Sequence, residues 1–415
     1  MEFKKYKLRE LATVDISGID KKSYEGEKTV RLCNFTDVYK NWAITKYHYS
    51  SLMKATAKDR DIKKFKICRG QVAITKDSET RDDIGIPTYI ADDFDDVVLG
   101  YHCALITPGN FLDGKYLNAY LNSKMAKKYF EGYASGSGQR YTLTLDAIND
   151  LQIWLPDINS QKRISLILSD IDQKIALNIR MNAELEAMAK QLYDYWFVQF
   201  DFPDENGRPY KSSGGKMVYN STLKREIPAG WEVLNIFEVA NVLYGFPFST
   251  ESFVEIQTDK PVVRIRDIAN NSVSAYTTED VDEIYKLNEG DLVIGMDGNF
   301  HMNFWHNSYC YLNQRCVRFR EKKEYPVSTM QMYYDIKPII DNKQRRIQGS
   351  TVGHLLDSDI KEFFILCPHK AKIDFKSIFD SLLFKITDSK NEIINLTNLR
   401  DSLLPMLMNG QVTVE

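Results

Sequence analysis

The same strand–proline–helix junction occurs twice in this chain, and this internal repeat constrains the fold more than any other feature. The stretch "LQIWLPDINSQKRISLILSDIDQKI" begins at Leu151, and "FFILCPHKAKIDFKSIFDSLLFKI" begins at Phe363. Pro156 in the first stretch corresponds to Pro368 in the second. A short apolar run that stops at a proline and leads into a periodic apolar pattern predicts a strand followed by a helix. The chain is therefore predicted to consist of two similar halves.

Other stretches of the two halves also resemble each other. "FKICRGQVAITKDSE" from residue 65 resembles "YKLNEGDLVIGMDGN" from residue 285, with Gly70 matching Gly290. "VRLCNFTD" from residue 30 resembles "VRIRDIAN" from residue 263. A stretch that contains glycine and serine precedes each junction, namely "ASGSGQRYT" from residue 134 and "RIQGSTVGH" from residue 346. The predicted order is a β-rich domain, a long helix, a second β-rich domain and a second long helix.

Each long helix carries residues at alternating spacings of four and three, which is the pattern of a coiled-coil seam. The seam positions of the first helix are Ile164, Leu168, Ile171, Ile175, Asn178, Asn182, Leu185, Ala189, Leu192 and Trp196. Those of the second helix are Phe375, Phe379, Leu382, Ile386, Ser389, Ile393, Leu396, Arg400, Leu403 and Leu407. Since the two seams match position by position, we expect the helices to pack on each other, antiparallel. The alternative is that each helix packs on its own domain.

These patterns predict an α+β fold with two pseudo-repeated β-rich domains, separated by two long helices that form an antiparallel coiled coil. The predicted segments are residues 1–156 for the first β-rich domain, 157–199 for the central helix, 200–226 for a linker loop, 227–368 for the second β-rich domain and 369–410 for the last helix. The linker is predicted from "FDFPDENGRPYKSSGGKM", which is rich in Pro, Gly, Ser and Asp.

The composition is that of a soluble globular protein of two or three domains, with 415 residues, 43% of them hydrophobic and 27% charged. No run of eighteen apolar residues is present, and the N-terminal residues lack the apolar segment of a secretory signal. The six cysteines form no CxxC pair, which favours reduced thiols in a cytoplasm. The net charge of −3 means that any basic surface for nucleic acid must be local.

Motifs for catalysis or metal binding are weak. "SSGGKM" lacks the spacing of a P-loop. Asp297 with the later "EKK" at residues 321–323 resembles a nuclease carboxylate set, but a chain this rich in charge produces such matches by chance. A possible zinc set comprises His301, His306, Cys310 and Cys316. Five residues lie between these cysteines, whereas structural zinc sites have two to four. Neither a catalytic residue nor a metal ligand is predicted, and we interpret the chain as a binder.

Basic loops that contain glutamine and glycine are predicted just before the junction in both halves, and this composition suits DNA. Arg and Gln read the edges of guanine and adenine, whereas Lys and backbone amides bind phosphates. Each patch alone is typical of a solvated charged surface, but its recurrence before the same junction favours DNA binding. The candidate DNA-binding residues are Lys63, Lys64, Lys66, Arg69, Gly136, Ser137, Gln139, Arg140, Tyr141, Asn299, Gln314, Arg315, Lys343, Arg345, Arg346, Gln348 and Ser350.

The chain resembles the specificity subunit of a type I restriction-modification enzyme over essentially its whole length. The resemblance rests on the half-repeat with paired helices and on "LPDINSQKRISLILSDIDQKI" from residue 155. It also rests on "LYDYWFVQFDFPDENGRPYKSSGGKM" followed by "IPAGWEV", and on "GDLVIGMDGNF" with "LNQRCVRF". Two features depart from the family pattern. The first domain lacks a "GW" like Gly230–Trp231, and the last helix begins with "HKAKIDF" instead of a Gln-Lys-Arg-Ile start.

The resemblance implies that each β-rich domain reads one half of a split, asymmetric target in double-stranded DNA. The helix pair would set the unread gap, with half-sites roughly one helical turn, about 10 bp, apart. The chain itself would be non-catalytic and bind no cofactor. Two methyltransferase subunits would carry S-adenosylmethionine and methylate adenine N6, and restriction subunits would use ATP and Mg to cut DNA, all in a prokaryotic cytoplasm. The candidate partner contacts are Leu192, Tyr195, Trp196 and Phe197.

Two other interpretations remain open from the residues alone. One is a coiled-coil scaffold whose β-rich domains bind protein without reading DNA. The other is a nuclease with a site around Asp297.

Overall fold

The computed structural model describes residues 2–136, 140–254, 256–307, 309–347, 353–368, 373–408 and 410–412. The chain forms two compact units. Unit 1 comprises Met1–Ala176 with Asn395–Glu415, and unit 2 comprises Leu177–Ile394. Among the described residues, no helix has both the length and the apolar character that a membrane span requires.

The strands are β1 (Lys4–Lys7), β2 (Ala12–Ile16), β3 (Lys28–Cys33), β4 (Ala43–Ile44), β5 (Met53–Ala57), β6 (Val72–Thr75), β7 (Asp77–Ser78), β8 (Pro87–Ile90), β9 (Val97–Leu99), β10 (Cys103–Pro108), β11 (Ser135–Gly136), β12 (Tyr141–Thr142), β13 (Gln152–Leu155), β14 (Met217–Asn220), β15 (Arg225–Pro228), β16 (Glu232–Asn235), β17 (Ala240–Tyr244), β18 (Phe253–Val254), β19 (Pro261–Val263), β20 (Ala275–Thr277), β21 (Leu292–Gly295), β22 (Met302–Phe304), β23 (Tyr311–Leu312), β24 (Cys316–Glu321) and β25 (Phe364–Cys367). The helices are α1 (Leu8–Leu11), α2 (Phe35–Lys40), α3 (Asp59–Phe65), α4 (Gly114–Asn122), α5 (Lys124–Tyr133), α6 (Leu145–Asn149), α7 (Ile158–Tyr193), α8 (Ile236–Val239), α9 (Ile265–Ile268), α10 (Thr329–Ile347), α11 (Asp357–Ile360) and α12 (Phe375–Met408).

Unit 1 is built around a five-stranded sheet in the order β2-β10-β6-β8-β4. A three-stranded sheet, β5-β3-β9, accompanies it, and β3 and β9 run parallel. The strand β1 pairs antiparallel with β13, which is the strand of the first junction. The largest core of the unit includes Tyr116 and Tyr120 of α4, and Ile164 and Leu168 of α7. The start of α7 is therefore part of the unit 1 core.

Unit 2 repeats the central strand pairings of this topology. The strand β16 pairs with the junction strand β25, as β1 pairs with β13. The run β17-β24-β21 repeats β2-β10-β6, and β19 pairs parallel with β23 as β3 does with β9. The turns before β6 and β21 contain Gly70 and Gly290, whose φ angles are +94° and +86°. Because a side chain at such an angle is strained, glycine is favoured at this turn in both halves. The predicted internal repeat is thus present in the fold.

The two long helices pack antiparallel within each unit. In unit 1, the beginning of α7 with Ile164 and Leu168 packs against the end of α12 with Leu404 and Leu407. In unit 2, the end of α7, including Ala189, shares a core with the beginning of α12. All twenty predicted seam positions are buried or half-buried. The predicted α+β fold with two β-rich parts and an antiparallel pair of long helices is confirmed.

A polar layer interrupts the helix seam in unit 2. It consists of the buried side chains of Asn178, Asn182 and Ser389. The Nδ2 of Asn178 donates to Oε2 of Glu392 at 2.7 Å. The amide oxygens of both asparagines and the hydroxyl of Ser389 have no hydrogen-bond partner within the described part of the chain. Polar groups in a seam cost stability, and in coiled coils they select one alignment of the helices.

The segment predicted as a linker loop, residues 200–226, is packed against the core of unit 2. Phe200 and Phe202 are buried, and the ring of Phe202 stacks on Trp231 with centroids 5.0 Å apart. The ring of Tyr210 also stacks on Phe202, with centroids 4.7 Å apart. The polar composition that predicted a loop thus accompanies aromatic anchors that hold the segment in place.

Candidate functional site

A cluster of one carboxylate and two basic side chains lies where strand β6 ends and strand β10 begins in the large sheet of unit 1. Asp77 begins β7, two residues after β6 ends, and its Oδ2 contacts Nδ1 of His102. The Nη2 of Arg140 lies 2.9 Å from Nε2 of the same histidine ring. On its other side Asp77 accepts a hydrogen bond of 2.8 Å from Nζ of Lys76. Asp77, His102 and Arg140 are referred to below as the Asp77 cluster, and Lys76 is a further partner of Asp77.

The ring of His102 lies between Asp77 and Arg140. Its Nδ1 contacts Oδ2 of Asp77, and Nη2 of Arg140 lies 2.9 Å from Nε2 and 3.3 Å from Nδ1 of the same ring. Burial alone would favour the protonated acid, but hydrogen bonds from Lys76, Thr142 and His102 keep the pKa of Asp77 below its ordinary value. Asp77 is therefore an anion at neutral pH, and the chain of contacts links the guanidinium of Arg140 to a fixed negative charge.

A second cluster of the same composition lies in unit 2. Asp297 follows β21, and its Oδ1 lies 2.7 Å from Nδ1 of His354. Its Oδ2 pairs with Nε of Arg315 at 3.3 Å. The side chains of Arg315 and His354 are 65% and 57% exposed, whereas that of Asp297 is 23% exposed. In this Asp297 cluster the carboxylate is partly enclosed and the two basic groups face solvent.

The two clusters occupy equivalent positions of the repeat, as their backbone hydrogen bonds show. The amide of Lys76 donates to the carbonyl of His102 at 2.9 Å, and the amide of Met296 donates to the carbonyl of Arg315 at 2.9 Å. Further along the chain, Leu143 donates to Lys76 at 2.8 Å in unit 1. The matching bond in unit 2 runs from Leu355 to Met296 at 2.7 Å.

His102 and Arg315 therefore occupy one position of the repeat, each immediately before the long strand β10 or β24. Thr142 pairs with Asp77, and His354 pairs with Asp297. The carboxylate is the constant member of the two clusters, and the basic groups around it change. Exposed guanidinium and imidazole groups held in this way can donate to phosphate oxygens or to the edges of bases.

The other predicted DNA-binding residues of unit 1 lie around α3. Lys63 and Lys64 are exposed on this helix, and Nζ of Lys64 pairs with Asp15 at 2.8 Å. Lys66 is half-buried at the helix end. Arg69 is exposed, and its backbone amide donates to Oδ1 of Asp93 at 3.0 Å. No described contact joins this group to the Asp77 cluster.

The short strands β11 and β12 hold the other predicted residues of unit 1. Gly136 pairs with Tyr141 across them, and Arg140 directly precedes β12. A side chain at Gly136 would collide with the carbonyl of Arg140, since a Cβ would lie 2.1 Å from that oxygen. Four predicted residues lie outside the described residues, namely Ser137, Gln139, Gln348 and Ser350.

In unit 2 the structure brings several predicted residues to one surface. Asn299 and Gln314 are exposed in the turns on either side of the Asp297 cluster. The amide of Phe300 donates to Oε1 of Gln344 at 2.9 Å, which joins the turn at Asn299 to the end of α10. The predicted basic residues here, Lys343, Arg345 and Arg346, lie within the last turns of this helix and not in a loop.

The three basic residues of α10 differ in their partners. Lys343 pairs with Asp359. Arg345 donates to Oδ1 of Asn342 at 3.1 Å. Arg346 is exposed and makes no hydrogen bond or ion pair with the described residues. Of the three, Arg346 has the side chain that can turn to a ligand at the least cost.

The predicted partner contacts at the end of α7 divide into buried and exposed side chains. Trp196 and Phe197 are buried in the unit 2 core, where Trp196 packs edge-on against Phe379 at 5.9 Å. Leu192 is half-buried, and Tyr195 is exposed on the surface of the π-helical turn that continues the helix. A partner contact at this segment stays a prediction, and Tyr195 is the side chain in position to make it.

The possible zinc residues do not converge in the structure. Cys310 and Cys316 are buried, and burial raises the pKa of the Cys310 thiol to about 12. His306 instead contacts Oδ1 of Asn391 at 3.0 Å. Across the described residues, no group of three or more His, Cys, Asp or Glu side chains lies in position to hold a metal ion.

Comparison with known proteins identifies the family. The family model described as the type I restriction modification DNA specificity domain matches residues 1–187 and again residues 228–398. The chain belongs to this family. The two matches correspond to the two halves of the repeat, so the resemblance noted in the sequence is confirmed.

Relatives and a solved structure agree with this assignment. The chain is 25% identical over 325 residues to the type I restriction enzyme MjaIX specificity subunit of Methanocaldococcus jannaschii, covering 75% of this chain and 72% of the relative. It is 24% identical over 402 residues to the HindI specificity subunit of Haemophilus influenzae, covering 81% and 85%. Its fold is similar to the crystal structure of the S subunit from M. genitalium, with a TM-score of 0.57, 15% identity and coverage of 98% and 96%.

Sequence reasoning on this specificity-domain chain missed three members of the clusters. Asp77, His102 and His354 were not among the predicted residues, and Asp297 was considered solely as a nuclease carboxylate. The signal that could have found them is the repeat itself, because the matched stretches place Asp77 opposite Asp297. A charged residue that recurs at one position of two otherwise divergent β-runs indicates a shared local role.

Proposed function

We propose that this chain is the DNA sequence-specificity subunit of a type I restriction-modification complex. Each β-rich half reads one half of a bipartite target, and the pair of long helices sets the gap between the half-sites. The observation that carries this proposal is the recurrence of one carboxylate at the same position of both halves, each in contact with basic side chains, of which Arg140, Arg315 and His354 are exposed. Because the basic groups differ between the halves, the two half-sites differ and the target is asymmetric.

The proposed complex has two methyltransferase subunits and restriction subunits as partners, in the cytoplasm of a prokaryote. The former supply S-adenosylmethionine and methylate adenine N6, and the latter supply ATP and Mg for DNA cleavage, while this chain is non-catalytic and binds no cofactor. Apolar side chains on the outer faces of the long helices support protein docking there. Leu166, Ile179 and Phe384 are 59%, 55% and 65% exposed. Exposed apolar groups of this size are typical of surfaces that another protein covers.

The helix lengths are compatible with the role of a ruler. The helix α7 has 36 residues and α12 has 34. At a rise of about 1.5 Å per residue, a helix of this size is roughly 50 Å long, which is comparable to about 15 bp of B-DNA. Two half-sites about one helical turn apart fit within that length.

The test is a long-read map of N6-methyladenine in cells with and without the gene for this chain. We expect a split motif with a fixed gap to lose methylation when the gene is removed and to regain it on complementation. If the map is the same in both strains while the methyltransferase genes are expressed, the proposed function is wrong. That result would favour the alternative of a coiled-coil scaffold that binds protein. Recovery of partner subunits by a chain that shows no salt-dependent DNA binding would identify it as such a scaffold.

A further inference from the structure

We propose that Asp77 and Asp297 are positioning residues for sequence readout, and that each orients the basic side chains of its own half toward DNA. This inference rests on the proposed function and deepens it. The carboxylates do not touch DNA in this scheme. They act through His102 and Arg140 in unit 1, and through Arg315 and His354 in unit 2.

A comparison of the two halves distinguishes the role of the carboxylate from the role of the basic side chains around it. Both aspartates follow the equivalent strands β6 and β21 and lie in the same frame of backbone hydrogen bonds. Around them the basic groups differ in type, since His102 stands where Arg315 does, and Arg140 and His354 come from different positions of the repeat. A feature that is constant while its partners change is suited to holding whichever donors the half-site requires.

Holding these donors has a physical benefit. An exposed arginine loses rotamer entropy when it is fixed. A side chain that is already oriented loses less of this on binding, so the contact contributes more to affinity and to discrimination between bases. Asp77 is well placed for this role because its side chain is 9% exposed and its charge is fixed by three hydrogen-bond donors.

A carboxylate close to a DNA-binding surface also has a cost, since it repels phosphates. Removing its charge while keeping its shape should therefore have two effects of opposite sign. Non-specific DNA binding should become tighter, because a negative charge is lost. Specific binding should become weaker, because the basic groups lose their anchor. A residue that merely supports folding would change both affinities in one direction, together with the melting temperature.

The variants are Asp77→Asn and Asp297→Asn, with Asp82→Asn as the charge-matched control. Asp82 is exposed in unit 1 and makes no hydrogen bond or ion pair with the described residues. Each variant is expressed in place of the wild-type chain, and the N6-methyladenine motif is mapped. Binding of the purified full chain is measured on a duplex that carries the mapped motif and on one with both half-sites scrambled.

We expect Asp77→Asn to relax the bases of one half-site and Asp297→Asn to relax those of the other. The ratio of specific to non-specific affinity should fall about tenfold in each, in the range of one lost base contact. The control should keep the motif and the affinity ratio, because the loss of a charge with no role in readout raises specific and non-specific affinity alike. Asp77→Glu should restore part of the discrimination, because it retains the charge.

The inference is overturned if the wild-type chain gives a motif and both Asn variants give the same motif with the same affinity ratio. It is also overturned if each variant weakens both half-sites equally. If Asp77→Asn fails to fold, Asp297→Asn decides the matter in its own half, where the carboxylate is more exposed and has no lysine neighbour at position 296. A wild-type chain without any motif refutes the proposed function instead.

Discussion

At the scale of the residue, His102 shows how much local structure serves the Asp77 cluster. Its φ angle is +71°, a left-handed conformation that costs a non-glycine residue about 1–2 kcal/mol. In this conformation its ring bridges Asp77 and Arg140 and lies against Tyr101, with centroids 3.4 Å apart. Strain of this kind persists where surrounding contacts compensate for it, and it concentrates at functional positions.

Two arginines test the placement of the reading surfaces. Arg140→Ala and Arg346→Ala should each weaken binding to the mapped target, because each removes an exposed guanidinium, one in the Asp77 cluster and one in the last turn of α10. A lost base-edge contact corresponds to about 1–3 kcal/mol and relaxes one position of the motif. Titration of a labelled target duplex at fixed salt measures the change. If both variants bind like the wild type, the reading surfaces lie elsewhere even though the family assignment stands.

At the scale of the element, Asp335 joins three segments of unit 2. It lies on α10, accepts a hydrogen bond of 2.7 Å from the hydroxyl of Tyr193 on α7, and accepts one from the amide of Leu366 on β25 at 3.4 Å. Burial raises the pKa of Asp335 to about 6, although hydrogen bonds from Tyr193, Gln331 and Leu366 oppose the shift. The junction strand, the long helix and α10 thus meet at one carboxyl group.

The raised pKa predicts how stability depends on pH. The folded chain retains a proton on Asp335 up to a pH of about 6, whereas the unfolded chain releases it near 4. Protonated Asp335 therefore makes its full contribution to the free energy of unfolding below pH 4. This contribution, on the order of 2–3 kcal/mol, is lost as the pH rises toward 6. Asp335→Asn should remove this slope. Urea unfolding of both proteins between pH 4 and 7 measures the difference, and parallel curves would contradict the assignment.

At the scale of the whole molecule, the charge is small and negative although two basic clusters are present. The chain has 54 Lys and Arg residues against 57 Asp and Glu residues, for a net charge of −3. Carboxylates pair with several of the basic groups, as Asp15 does with Lys64 and Asp359 with Lys343. The proposed base-reading groups therefore lie on a chain without a strong general attraction to phosphates.

This balance predicts a shallow salt dependence for the chain alone. The slope of log K against log of the salt concentration reports how many phosphates a protein neutralises. If the proposed methyltransferase subunits supply most of the phosphate contacts, the assembled complex should have a steeper slope than the isolated chain. Fluorescence anisotropy between about 50 and 200 mM salt compares them. Equal slopes would place the phosphate contacts on this chain.

The local patterns of the sequence predicted the helices and the repeat well. The seam positions from Ile164 to Trp196 are buried or half-buried because a spacing of four and three is a property of the helix itself. The match of "VRLCNFTD" to "VRIRDIAN" was three residues out of step. The structure aligns Asn34 with Arg264, since both begin the short helix that follows the strand.

The site was harder to predict because its members come from distant segments. Asp77, His102 and Arg140 meet through sheet pairing and turn conformation, which no short pattern encodes. The basic stretch at residues 343–346 was expected in a loop because glycine follows at position 349. It is helical in the structure, and α10 continues through Pro338. Tertiary contacts with the sheet therefore overrode the local signals for a helix end.

The polar layer of Asn178, Asn182 and Ser389 has a consequence for how accurately the two long helices are aligned. Sliding one helix past the other by a heptad would place these groups against leucine and isoleucine, with their hydrogen-bonding needs even less satisfied. The observed alignment is thereby separated in free energy from alignments that are shifted by a heptad. If the helices set the distance between half-sites, that distance has a single value. The proposed restriction-modification complex would then distinguish a target from a near-match whose spacer is one base pair too long.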